Sequence, residues 1–148
     1  MWLYENKVIE KIEDFPENTF GFIYKITNNK TGKLYIGKKQ LMSKTNVKLG
    51  KKEKAALPTQ RGRTPSKKLV VKESDWQNYW GSNKPLLEEI KTSGKEKFTR
   101  EILMMCPSKK LLTYWETKML FMLGVLEQPD MYFNDNILGK FFTKDFIF

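Results

Sequence analysis

The chain has 148 residues, 40% hydrophobic and 14% aromatic, enough for one domain with a packed core and too short for two independent cores. It holds no histidine and a single cysteine, Cys106, which excludes a disulfide framework, a Cys or His zinc site and every Ser-His or Cys-His nucleophile. The net charge of +10, from 27 basic and 17 acidic side chains, favours a polyanionic partner, nucleic acid before membrane.

The first segment, MWLYENKVIEKIEDF, has no apolar run followed by a cleavage site, so a soluble protein without a standard export signal is expected. Residues 1–19 suit a short helix or strand, with Asp14 and Pro16 marking a turn. Residues 20–37 predict two strands, with Phe22, Tyr24 and Ile26 in phase on the first and Tyr35 and Gly37 in phase on the second. Asn28-Asn29-Lys30-Thr31-Gly32 between them is turn chemistry. Opposite residues of an antiparallel pair have a constant number sum, and any odd sum sets Tyr24 and Tyr35 on one face.

From Lys38 to Lys72 basic residues crowd against one acid, Glu53, while Pro58, Gly62 and Pro65 interrupt any long helix. This stretch reads as a flexible or partly ordered basic insertion, and as a poor candidate for a separate domain. WQNYWG at 76–81 reads as a packing anchor, with Tyr79 a candidate accessory near a phosphate. Ser82 or Asn83 then caps a helix whose first turn takes Pro85, and Gly94 stops it. KFTREILMM reads as a third strand with Phe98 and Ile102 in phase. Ser108 caps a second helix, in which Leu112, Trp115, Met119 and Met122 recur at helical spacing. MYFNDNILGKFF is a short aromatic tail.

Tyr24 in GFIY and Tyr35 in LYIG resemble the two halves of the signature of the GIY-YIG nuclease superfamily. Residues 75–103 are similar to the middle of phage-encoded and homing-type members. YWETKML resembles the helix that carries their metal-binding glutamate, and YFNDNILGKF resembles their asparagine-containing end. The resemblance spans about residues 20 to 142. It implies an α+β fold with a small three-stranded antiparallel sheet flanked by helices, here a single domain over 1–148 with the insertion at 38–72. It also implies a metal-dependent DNA endonuclease that hydrolyses phosphodiesters in double-stranded DNA with one Mg²⁺ or Mn²⁺ ion and no small-molecule cofactor.

On this resemblance Glu116 is the metal ligand, since Mg²⁺ commonly takes one or two carboxylates and keeps several waters. Tyr24 is the general base or positions the attacking water, and Tyr35 hydrogen-bonds a phosphate oxygen. For each tyrosine, ordinary cross-strand packing is the alternative. Asn134, or failing it Asn136, holds the site's backbone or Glu116. The arginine that many members carry shortly after the second tyrosine is replaced here by Lys44 and Thr45. Arg63 is the candidate for that role, with Lys39 sharing the charge. Lys38, Lys39, Arg61, Lys67 and Lys68 are the candidate DNA contacts. Such members often append a separate DNA-binding module; none is expected here, so the domain's own basic run supplies affinity. A stand-alone phage or mobile-element enzyme is expected, cytoplasmic in an infected bacterial host, monomeric or homodimeric. The alternative is a catalytically degenerate nucleic-acid-binding module on the same fold.

Overall fold

A computed structural model describes residues 1–57, 62 and 65–146. They divide into two compact units, Met1–Leu41 with Asp75–Phe148, and Met42–Ser74.

The larger unit is built on a mixed five-stranded sheet. Strands β1 (Trp2–Tyr4) and β2 (Lys7–Ile9) form an N-terminal hairpin turned by Glu5 and Asn6, both at positive φ. Strands β3 (Gly21–Asn28) and β4 (Leu34–Gln40) form the expected hairpin. Its turn is fixed by the Asn28 Oδ1, which accepts from Lys30 and Thr31 backbone N–H groups at 2.9 and 3.2 Å, and by Gly32 at φ 77°. Helix α1 (Lys51–Ala55) and strands β5 (Met42–Lys48) and β6 (Lys67–Glu73) belong to the smaller unit. Helix α2 (Lys84–Ser93) starts at Asn83, whose side chain accepts from Leu86 N–H at 3.0 Å. Strand β7 (Phe98–Cys106) follows, then helix α3 (Lys109–Leu123), capped by Ser108 at its start and by left-handed Gly124 at its end. A small hairpin, β8 (Asn136–Ile137) with β9 (Phe141–Phe142), closes the chain.

The strand order is β2-β1-β7-β3-β4. The antiparallel trio β7-β3-β4 is the sheet read from the sequence, but the expectation of three strands is corrected to five, because β1 adds to β7 in parallel and brings β2 with it. Glutamate is a poor residue for a positive-φ turn position, which is why that hairpin leaves so weak a signal.

The sheet is covered on both faces. Phe22, Tyr24 and Ile26 of β3 pack with Trp2, Trp76 and Leu86, whereas Ile23 of β3 and Ile36 of β4 pack with Leu112 and Leu120 of α3. The buried line of α3 runs through Leu112 and Leu120, and Met122, read as part of the apolar stripe, is 75% exposed instead. No helix among the described residues is long and apolar enough to cross a membrane.

The basic stretch, expected over 38–72 as a flexible or partly ordered insertion, carries strand structure at both ends among the described residues. Lys38 and Lys39 lie within β4, and in the unit Met42–Ser74 strands β5 and β6 pair antiparallel over seven facing positions.

Candidate active site

The site grows from the register of β3 and β4. Tyr24 faces Gly37 and Ile26 faces Tyr35, an odd number sum, so the two tyrosines are diagonal neighbours on one face with ring centroids 6.2 Å apart. Gly37 is required here: a Cβ at that position would collide with the Tyr24 ring and hydroxyl. Gly81, at φ 88°, leaves the same kind of gap, since a Cβ there would sit 3.1 Å from the Tyr35 ring and 3.4 Å from the Tyr24 hydroxyl. Beside Tyr24 the β3–β7 register shifts, with Leu103 extra on β7, a bulge of the kind that re-aims a side chain.

A third phenol joins them. The Tyr79 ring meets Tyr24 edge-on at 6.0 Å, and the two hydroxyls are hydrogen-bonded. Lys39 Nζ lies 4.1 Å above the Tyr79 ring and 2.6 Å from Asp75 Oδ1. The segment carrying Tyr79 is held by Arg100, a buried side chain that donates to the Gln77 and Tyr79 carbonyls at 3.1 and 2.8 Å. Its guanidinium is also stacked between Trp2 and Trp80, at 4.5 and 4.2 Å from the ring centroids. Burial lowers the Arg100 pKa to about 10, which leaves it charged at neutral pH. Tyr79, read from the sequence as part of a packing anchor and a candidate accessory near a phosphate, stands beside Tyr24.

Glu116 reaches the same place from the other face of the sheet. It stands on α3 four residues from Leu112 and four from Leu120, on the buried line that covers Ile36. Burial in that apolar stripe raises its carboxyl pKa, and nearby Lys38 only partly offsets the effect. Lys38 Nζ donates to Thr113 Oγ1 at 3.0 Å, so this lysine also serves α3. Side chains from opposite faces can converge here because β4 is the edge strand; an inner strand would keep them apart.

Tyr35 and Glu116 line one cavity of about 480 Å³, together with Ser82, Asn83, Asn134 and Asp135. Tyr24 stands behind Tyr35 rather than on the wall, yet the charge on Glu116 acts on both phenols. Burial, the largest cause, holds Tyr24 well above the ordinary tyrosine pKa, and Tyr35, Tyr79 and Glu116 push it the same way. Tyr35 is raised by burial too, against the opposing hydrogen bond from Ser82.

Asn134 is buried and acts as a strand substitute. Its Oδ1 accepts from Ile36 N–H at 3.0 Å and its Nδ2 donates to Ile36 C=O at 2.8 Å, continuing the pairing that Leu34 makes with Met131 and Phe133. Asn136 is exposed, bonded to Asp135 Oδ1 and to Gly139 N–H. Lys67 and Lys68 lie on β6, Lys68 bound to Glu53 at 2.8 Å. Arg61 and Arg63 fall outside the described residues.

The ionisable oxygen donors of the lining are the Glu116 and Asp135 carboxylates and the Tyr35 phenol, with Lys84 the ammonium among the lining residues. That chemistry fits a hard divalent ion, and a carboxylate desolvated without full compensation is a group that a cation would satisfy. Among the described residues no three His, Cys, Asp or Glu side chains form a closed cage, in keeping with an ion that keeps most of its own water.

No curated protein and no solved structure matches the chain significantly. Residues 2–137, however, match the family model described as "Putative endonuclease segE, GIY-YIG domain", and with its two tyrosines side by side on the β3–β4 hairpin and Glu116 brought to the same strand, the chain belongs to that GIY-YIG endonuclease family.

Proposed function

We propose that the protein is a divalent-metal-dependent endonuclease that hydrolyses a phosphodiester of double-stranded DNA. The observation that carries this reading is the cavity where Tyr35 and Glu116 meet around edge strand β4, with Tyr24 electrostatically coupled to both. Glu116, with Asp135 across the cavity, would hold one Mg²⁺ or Mn²⁺ ion, which when bound would offset charge on the phosphate and favour ionisation of water.

The chain's own groups do the positioning. Tyr35, fixed by Ser82, offers its hydroxyl to a non-bridging phosphate oxygen. Tyr24 is a neutral phenol in this setting, so it keeps its proton and acts by position, hydrogen-bonded to Tyr79 and packed behind Tyr35, and the proton released by the attacking water leaves through the open cavity to solvent. Asn134 keeps Ile36, and with it Tyr35 and Gly37, in place. Lys38 and Lys39 add positive charge from the two faces of β4. Arg63 remains the candidate for the family arginine, and a phage or mobile-element origin with action in the host cytoplasm completes the reading.

Supercoiled plasmid with Mg²⁺ or Mn²⁺ tests it. Nicking should vanish with EDTA and fall at least ~100-fold in Glu116→Gln and in Tyr35→Phe. DNA that is retained but never cut under either metal would favour the binding-module alternative, which the raised pKa values of the two tyrosines also fit.

A further inference from the structure

Residues 42–74 hold ten of the 27 basic side chains and two of the 17 acids, so this unit carries eight of the ten surplus positive charges. Phosphate attraction alone would need only lysines on any solvated loop. The chain instead spends fourteen residues on a regular antiparallel ribbon, and the two faces of that ribbon differ.

In register, Met42 faces Glu73, Lys44 faces Val71, Asn46 faces Leu69 and Lys48 faces Lys67, all on one face. Every one of these eight residues is exposed, with Leu69 at 59% and Val71 at 49%. The other face carries half-buried Ser43 and Val70 and an exposed Lys68 tied to Glu53 of α1, beside exposed Thr45, Val47 and Lys72. The first face is the one exposed at every position, and it presents an amide and two aliphatic side chains framed by three lysines, with Met42 and Glu73 at one end. Leu69 and Val71, two residues apart on β6, make an exposed apolar pair on this face.

We propose that this face of the β5–β6 ribbon enters the major groove of duplex DNA and reads base edges there, a proposal that rests on the DNA-cleaving function given above. A two-stranded ribbon fits the B-form major groove, which is about 12 Å wide, and seven residues per strand reach about 23 Å along it. The chemistry of each group has a counterpart on the groove floor. The Asn46 amide matches the N6 donor and N7 acceptor of adenine, Leu69 and Val71 match the thymine methyl, and Lys44, Lys48 and Lys67 match flanking phosphates. The ribbon thus selects an A·T-containing half of the target. Duplex RNA is excluded as the ligand because its major groove is too deep and narrow for side chains to read.

The test uses the full chain in EDTA, where cleavage plays no part, with anisotropy competition on duplexes randomised at successive positions. Wild type should prefer A·T at one or two adjacent positions. Asn46→Ala should flatten the adenine preference at one of them by about 5- to 150-fold with an unchanged salt slope. Leu69→Ser with Val71→Ser should remove discrimination between thymine and uracil. Lys44→Ala, Lys48→Ala and Lys67→Ala together should leave the base profile intact and reduce the slope of log K against log salt by about 2.7. A base profile identical in wild type and Asn46→Ala, an absence of base preference in wild type, or equal competition by duplex RNA would each overturn the proposal. Plasmid nicking by the same wild-type sample separates the two readings. Cutting with a flat base profile sinks the ribbon alone, and a base profile without metal-dependent cutting sinks the nuclease reading alone. Circular dichroism of each variant confirms that the ribbon is still formed.

Discussion

Glu116 shows most clearly how a single residue here trades stability for chemistry. Its carboxyl sits in line with Leu112 and Leu120, and burial raises its pKa above that of an unfolded glutamate. The folded state therefore holds the proton more tightly than the unfolded state. Stability is full at pH values below the ordinary carboxyl range and declines as pH rises through the folded value, where an ionised Glu116 lacks adequate solvation. Replacing it with glutamine should thus stabilise the metal-free protein at pH 8 by a few degrees in Tm, the response of a domain this size to about 1 kcal/mol. At pH 4 the same substitution should leave Tm unchanged, because both side chains are then neutral. Added Mg²⁺ should raise the Tm of wild type at pH 8 and have no effect on Glu116→Gln. A variant less stable than wild type at pH 8 would mean that Lys38 compensates the carboxylate fully, and that burial does not press the site toward a cation. The two tyrosines illustrate the opposite lesson. Their shared face follows from number parity alone, but their protonation state does not. A general base at Tyr24 would need a cation beside the phenol, whereas Lys39 is already engaged by Asp75 and Tyr79, and Lys38 by Thr113.

Among the elements, β4 is the one on which the site turns, because an edge strand exposes a row of backbone groups that must be satisfied before it can hold anything in place. Residues 131–134 supply the partner, first through backbone and then through the Asn134 side chain. Asn134→Leu has nearly the same size and removes both bonds, leaving the buried N–H and C=O of Ile36 unpaired at a cost of about 1–3 kcal/mol each. Chemical denaturation should show a loss of about 2–5 kcal/mol, and plasmid nicking should fall more steeply than the folded fraction, since Tyr35 and Gly37 flank the released residue. Nicking that merely tracks the folded fraction would make Asn134 a stability residue only. The hairpin, both longer helices with their Asn83 and Ser108 caps, and the third strand were all legible, because period, cap and turn chemistry are local. What was not legible depends on long-range pairing. Strand β1 exists because Trp2 can bury its ring, donate its indole N–H to the Trp76 carbonyl at 2.8 Å and stack on Arg100, none of which a three-residue strand announces. Likewise Lys44–Lys48 and Lys67–Lys72 look like solvated loops until their pairing across eighteen intervening residues is seen. The role of Asn134 was foreseen as holding backbone, but its partner, Ile36, lies 98 residues away.

At the scale of the whole molecule, charge and chemistry are carried by different parts of the chain. Residues 42–74 hold eight of the ten surplus positive charges, whereas every group proposed for the reaction except Arg63 belongs to the sheet unit. A division of this kind has a kinetic signature. Lysine–phosphate contacts release counterions on binding, so salt weakens the encounter with DNA, while the phenols and Glu116 sit in a half-buried cavity that salt screens little. With even four such contacts, raising KCl from 50 to 200 mM should lower kcat/KM by about 100-fold. At saturating DNA, kcat should change by less than about twofold over the same range, since bound substrate has already displaced the counterions. Steady-state cleavage of a labelled duplex at each salt concentration measures both. A fall in kcat equal to that in kcat/KM would place the salt-sensitive charges at the reacting phosphate, and Lys38 and Lys39, not the basic unit, would then be the groups that govern the response.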